Sequence, residues 1–342
     1  MKFGVILPYA QGAMSRAEVE EFTIRADQLG MHSIWVPEAW TFDAFMMLTS
    51  LIPLTSQIQL ATGIVNVYSR TPALIGQSAA TLDSLSGGRA IIGIGASGPQ
   101  VINGWHGMAY TKPVQRTRET IDIVRTILRR DKLRYEGEIF NLQMGLKLIN
   151  HPLRPDVPIV VAAMGDRNVA MTAEVADGWM PVLYVPEKAN EIWGDALTAG
   201  RANRSPDLAP LEVMPSVTMA ISDDPKARAG AEFVARAGIA LYVGGMGSRT
   251  NNFYNDLACK LGYEAEAKEI QDLYLSGNQP EAASKVSDEM LGDFAIVGDA
   301  AYAKDRIAAF EESGATTLLV GLVAMDQAGR LSMLEQLAQL AS

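Results

Sequence analysis

The stretch "IQLATGIVNVYSRTPALIGQSAATLDSLSGGRAIIGIGAS", residues 58–97, holds a strand, a helix and a second strand in one reading frame. "IQLATGIVN" (58–66) and "RAIIGIGAS" (89–97) are apolar runs with little alternation, the pattern of parallel strands buried on both faces. Between them Thr71 offers a side-chain cap and Pro72 a first helical residue. Gly87 and Gly88 close that helix before the next strand begins.

The same unit recurs along the chain of 342 residues. Strands are expected at 2–8, 33–40, 58–66, 89–97, 157–165, 177–184, 211–222 and 315–322, and each run is followed by a helical segment. Ser15 with Glu18 forms a capping box for the first helix, and Pro53 ends or bends the second. Eight such units close most economically as an α/β fold of the (β/α)8 TIM-barrel type; an open doubly wound sheet is the alternative. The surplus over a plain barrel falls in 242–291. It is read as a helical insertion between strands 7 and 8 of a single domain, 1–342.

Composition narrows the function. The net charge of −10 argues against nucleic acid or an anionic membrane as the main partner. One cysteine, Cys259, excludes an intrachain disulfide and reads as a packed thiol. The three histidines, His32, His106 and His151, lie far apart in sequence, and nothing has metal-ligand spacing, so no metal is expected. The opening "MKFGVILPYA" is too short and too interrupted for a signal peptide, and no run approaches a membrane span. The expectation is a soluble cytoplasmic protein.

In barrels of this kind chemistry sits at strand exits. The second exit carries Glu38, with Trp40 as a candidate substrate-side wall. A carboxylate there reads as a proton donor or polar anchor, or else as a partner for an arginine or a cap for the next helix. The third exit carries Gly63, Ile64 and Asn66, where a late glycine marks a bulge or a close approach. The fourth carries Ala96, Ser97, Gly98 and Pro99 after the "GIG" of 93–95, with His106 in the following loop. No acidic residue ends the next strand, so the dinucleotide fingerprint is set aside. The fifth carries Ala163, Met164, Gly165 and Asn168. There a glycine turn feeds a helix N-terminus suited to a phosphate.

These exits together resemble the bacterial luciferase-like oxidoreductases. The likeness is nearest to the branch that uses the deazaflavin coenzyme F420, in the order of motifs of the methylene-tetrahydromethanopterin reductase type. "ATGIVNVYSRTPALIGQSAATLDSLSGGRAIIGIGASGPQVINGWHG" (61–107), "AAMGDRNVAMTAEVADGW" (162–179) and "YVGGMGSRTNNFYNDLA" (242–258) carry it. The resemblance implies a cis peptide at Gly63–Ile64 behind the cofactor ring and Asn66 at the ring's polar edge. It implies that residues 96–99 line the ring and side chain, and that Ala163, Met164, Gly165 and Asn168 hold the phosphate. The glycines of the fourth strand would then make room for a flavin-shaped cofactor. It further implies a homodimer and hydride transfer between F420 and a small organic substrate, either reducing an unsaturated or iminium carbon or oxidising an alcohol, with Glu38 supplying or relaying a proton. An FMN-dependent monooxygenase and a non-catalytic cofactor-binding barrel are the alternatives. The family's sugar-phosphate dehydrogenases carry a histidine and a glutamate where this chain has Ala39 and, approximately, Gly98, which speaks against that reaction.

Overall fold

The computed structural model describes residues 1–8 and 14–341. In chain order the strands are β1 (Lys2–Ile6), β2 (Ser33–Val36), β3 (Gln59–Thr62), β4 (Val65–Asn66), β5 (Ala90–Gly95), β6 (Leu133–Glu136) and β7 (Asn141–Leu146). They continue with β8 (Ile159–Ala162), β9 (Gly178–Met180), β10 (Glu212–Val213), β11 (Ser216–Ile221), β12 (Ala295–Gly298) and β13 (Thr317–Leu322). The chain divides into two compact units. One comprises Ile6–Met180 and Ala196–Glu212; the other comprises Met1–Val5, Pro181–Asp195 and Val213–Ser342.

In the first unit β2, β3, β5, β8 and β9 pair side by side, all parallel. β4 runs beside the upper half of β5, with Val65 opposite Ile94 and Asn66 opposite Gly95. Every residue of β2 and β5 is buried, as strands covered on both faces require. Trp35 and Trp179 anchor this core, and each indole N–H finds an acceptor: Ser33 Oγ at 2.8 Å and the Ala163 carbonyl at 2.8 Å.

The helices start where short-range chemistry allows. Ser15 and Glu18 exchange hydrogen bonds at the head of Arg16–Gln28. Asp43 caps Ala44–Leu51, and Pro53 sits in the 3-10 turn that ends it. Thr71 caps Pro72–Leu85. The connection 129–158, which carried no expected strand, contains the antiparallel hairpin β6–β7. Its turn is held by Glu119, a fully buried carboxylate. Glu119 accepts from the amides of Glu138 (2.8 Å), Ile139 (3.0 Å) and Phe140 (2.9 Å) and from Gln115 Nε2 (2.9 Å).

In the second unit β1, β13, β11 and β12 pair in that order, again parallel. The expected strand at 211–222 is split into β10 and β11 around Pro215, which has no amide hydrogen to give to a ladder. The segment 242–291 is largely helical, with Phe253–Lys260, Glu264–Leu275 and Gln279–Ser284. β12 was not anticipated. It follows the helix Asp288–Phe294 without a linker, so "FAIVG" reads in sequence as the end of a helix.

Candidate functional site

The third strand exit is built from backbone contacts. The Gly63 amide donates to the Val36 carbonyl at 2.8 Å. The Thr62 hydroxyl donates to the Gly93 carbonyl at 2.8 Å. The Gly63–Ile64 peptide is cis, and the chain resumes as β4. A methyl group on Gly93 would lie 2.0 Å from the Thr62 carbonyl oxygen and 3.1 Å from the Trp35 ring. On Gly95 it would lie 3.2 Å from Ile64 Cδ1 and 3.3 Å from Ala162. The glycines of β5 therefore make room for β3, Ile64 and β8, which corrects the expectation that they make room for a ligand. They act one layer back, by letting the strands carry Ile64 and Asn66 close together.

Asn66 is buried, and its amide orientation is fixed by its neighbours. The amides of Tyr68 (3.0 Å) and Ser69 (2.7 Å) can only donate, so the atom they reach is Oδ1. Nδ2 then faces His106 Nε2 at 3.1 Å and donates to it. With Nε2 as the acceptor, the ring proton of His106 is assigned to Nδ1. Behind this pair Tyr68 stacks on Tyr110, ring centroids 5.4 Å apart. Arg116 lies over Tyr68 (4.6 Å) and Phe140 (5.3 Å). Burial raises the Tyr68 phenol above its ordinary pKa, more than the Arg116 charge and the Thr111 contact lower it. It is therefore a neutral phenol at physiological pH.

Glu38 is an ion-pair and capping residue. Arg70 binds both of its oxygens, at 2.9 Å for Nη2 to Oε2, and reaches across to Asp43 as well. Oε2 also accepts the Ala44 amide at 2.8 Å, at the start of the next helix. Burial weakens the Arg70 charge, but Glu38 and then Asp43 more than restore it. Both oxygens of Glu38 act as acceptors, which fixes the orientation of its carboxyl group.

The fourth and fifth exits meet through their strands, since Gly95 of β5 pairs with Ala162 of β8. The segments Ala96–Pro99 and Ala163–Met164 thus leave from neighbouring strand ends. Ser97 has a left-handed backbone, φ 58°, and its carbonyl accepts from the Tyr110 hydroxyl at 3.3 Å. The Gly98 carbonyl accepts from the Ile102 amide at 3.1 Å, opening a π-helical turn, Gln100–Trp105. Gly165 caps the helix Asp166–Val175 with no side-chain cap; the amides of Asn168 and Val169 return to its carbonyl. Asn168 Oδ1 is buried with no hydrogen-bond partner, and a methyl group on Gly165 would meet nothing within 4 Å.

All the expected site residues therefore fall in one unit. Glu38 is tied through Arg70 to the turn after Asn66. The sequence had not shown that Arg70 belongs to Glu38, or that His106 belongs to Asn66. Among the described residues no group of His, Cys, Asp and Glu is placed to hold a metal ion. Among the same residues no helix is long and apolar enough to cross a membrane.

A parallel α/β unit with strand-exit glycines, a bulged third strand and an open helix N-terminus after the fifth defines the class. The chain belongs to the luciferase-like family: the family model described as luciferase-like monooxygenase matches residues 1–317. A Mycobacterium tuberculosis protein whose name assigns it to the coenzyme F420-dependent oxidoreductases is 37% identical over 348 residues, covering 98% of this chain and 99% of its own. The solved coenzyme F420-dependent tetrahydromethanopterin reductase of Methanopyrus kandleri superposes with a TM-score of 0.84 at 22% identity, covering 99% and 97% of the two chains. That likeness shows a common TIM-barrel-like fold. The oxygenating constituent of a Pseudomonas putida Baeyer–Villiger monooxygenase, solved with FMN, superposes at 0.66 with 17% identity, covering 99% and 97%. The chain is an enzyme of this oxidoreductase family.

Proposed function

We propose that the protein is an F420-dependent oxidoreductase that passes a hydride between the deazaflavin and a small organic substrate, as a cytoplasmic homodimer. The Mycobacterium tuberculosis relative, similar over almost its whole length, supports the cofactor. The observation that carries the reading is the open Gly165 turn at a helix N-terminus with no side-chain cap, with the buried, unpartnered Asn168 Oδ1 beside it. A buried polar group without a partner is destabilising, and with the amide flipped, Nδ2 in the place of Oδ1, a phosphate oxygen beside the turn would accept from it. Residues 96–99 and Ile64 would hold the ring, and Ala163, Met164, Gly165 and Asn168 the phosphate. When bound, the deazaflavin supplies a two-electron hydride carrier.

The chain's own residues position and exclude. Asn66, locked by two backbone amides, presents a fixed amide edge at the third exit. His106 holds a proton on Nδ1 while Nε2 accepts from Asn66. Glu38 is fixed by Arg70 and serves the polar rim as a carboxylate of set orientation; in this role it positions the substrate, and a proton reaches the product from another source. Titration with F420 and with FMN tests the reading, because the FMN-bound relative marks the rival on the same fold.

A further inference from the structure

Between the loops that follow the second and fourth strand exits lies an open cleft of about 250 Å³, lined by Trp40, Gln100, Val101, Gly104 and Trp105. Its two indoles are unusually exposed, Trp40 at 50% and Trp105 at 65%. His106 follows Trp105 directly and hydrogen-bonds to Asn66. Trp40 follows Glu38 by two residues, and Glu38 binds Arg70 in the loop after Asn66. Both indoles of the cleft are thus joined through the chain to the candidate site. Among the described residues, none that lines it is charged. Arg70 is paired with both Glu38 and Asp43.

We infer that this cleft binds the organic substrate, and that the substrate is a neutral, flat, apolar molecule held between Trp40 and Trp105. The inference rests on the proposed oxidoreductase reading and names its substrate class. Exposed aromatic faces gain by covering flat apolar surface, whereas a phosphate or carboxylate would find no charged partner among the described residues that line the cleft. The volume suits a molecule of about two or three fused rings. Gly104 gives the cleft its floor space: a side chain there would meet nothing within 4 Å.

The test uses two probes with one skeleton, neutral N-phenyl-1-naphthylamine and its anionic relative 8-anilinonaphthalene-1-sulfonate, titrated by fluorescence into the full chain. The neutral probe is expected to bind one per chain, at least tenfold tighter than the anionic one. Trp40→Ala and Trp105→Ala each weaken it about tenfold, and Gly104→Phe abolishes the site. Circular dichroism confirms that each variant folds. Equal affinity for the two probes overturns the proposal, as does neutral-probe binding unchanged in Gly104→Phe. A change of oligomeric state in Trp105→Ala, with no probe bound by the wild type, also overturns it and makes the patch a protein interface. F420 is titrated into the same samples. Normal F420 binding with failed probe binding sinks only the substrate class, whereas normal probe binding without F420 binding sinks only the cofactor reading.

Discussion

Asn66→Ala removes the side chain that holds the turn after the third strand exit. Its Oδ1 accepts two backbone amides, from Tyr68 at 3.0 Å and Ser69 at 2.7 Å. The Tyr68 amide is buried and left without an acceptor, at about 1–3 kcal/mol; the half-buried Ser69 amide is reached by water and costs about 1 kcal/mol. The sum is a loss of about 2–4 kcal/mol, read from urea unfolding followed by circular dichroism. Asn66→Asp keeps an acceptor for both amides, so its loss is about half of that or less. The two variants separate a second effect. A carboxylate can only accept, so in Asn66→Asp the ring of His106 presents a proton at Nε2 in place of the lone pair it offers in the wild type. With three histidines in the chain, nitrogen NMR of the imidazoles resolves the tautomer directly. A wild-type His106 protonated at Nε2, or an Asn66→Ala variant within about 0.5 kcal/mol of wild type, would refute the reasoning.

Two further outcomes concern the frame around the site. Burial raises the Glu119 carboxyl, but Gln115 and the amides of Phe140, Ile139 and Glu138 together hold it below the usual range. The stability it contributes is therefore complete above about pH 4.3, the ordinary glutamate value, and is lost as pH falls through the lower folded-state value. Glu119→Gln should lose about 2 kcal/mol at neutral pH, with the gap from wild type closing in acid; a gap that stays constant down to pH 3 would contradict this. Gly93→Ala should cost about 3 kcal/mol or more, since its methyl group meets the Thr62 carbonyl. Gly165→Ala, with open space around it, should leave the thermal midpoint unchanged. Equal midpoints for the two variants would contradict the packing role assigned to Gly93.

The parts of the fold legible in the sequence were those fixed by neighbours a few residues apart. Ser15 with Glu18, and Thr71 with Pro72, mark helix starts through contacts within one turn, and they are where the chain places them. Unbroken apolar runs such as "AIIGIG" mark parallel strands because burial on both faces leaves no polar position. β12 was hidden because its four residues continue a helix without a break. The hairpin β6–β7 was hidden because its turn is held by Glu119, about twenty residues upstream.

The site divides the same way. The strand exits were readable as the place to look, since the fold class alone points there. The site's internal pairing was not. Glu38 had two readings, proton donor or arginine partner, and only the approach of Arg70, thirty-two residues on, favours the second. His106 reads as a lone loop histidine until the turn Gln100–Trp105 brings it to Asn66. Gly93 shows a subtler case: a glycine at a strand exit signals close approach, but the sequence does not say whether the approaching group is a ligand or, as here, the carbonyl of Thr62.

The most direct measurement is an equilibrium titration of the purified chain with F420, followed by the deazaflavin's own fluorescence, with FMN titrated in parallel. The account predicts saturable quenching at one F420 per chain, weakened at least tenfold by Asn168→Leu, and no saturable FMN binding. Tight FMN binding with no response to F420 would contradict it.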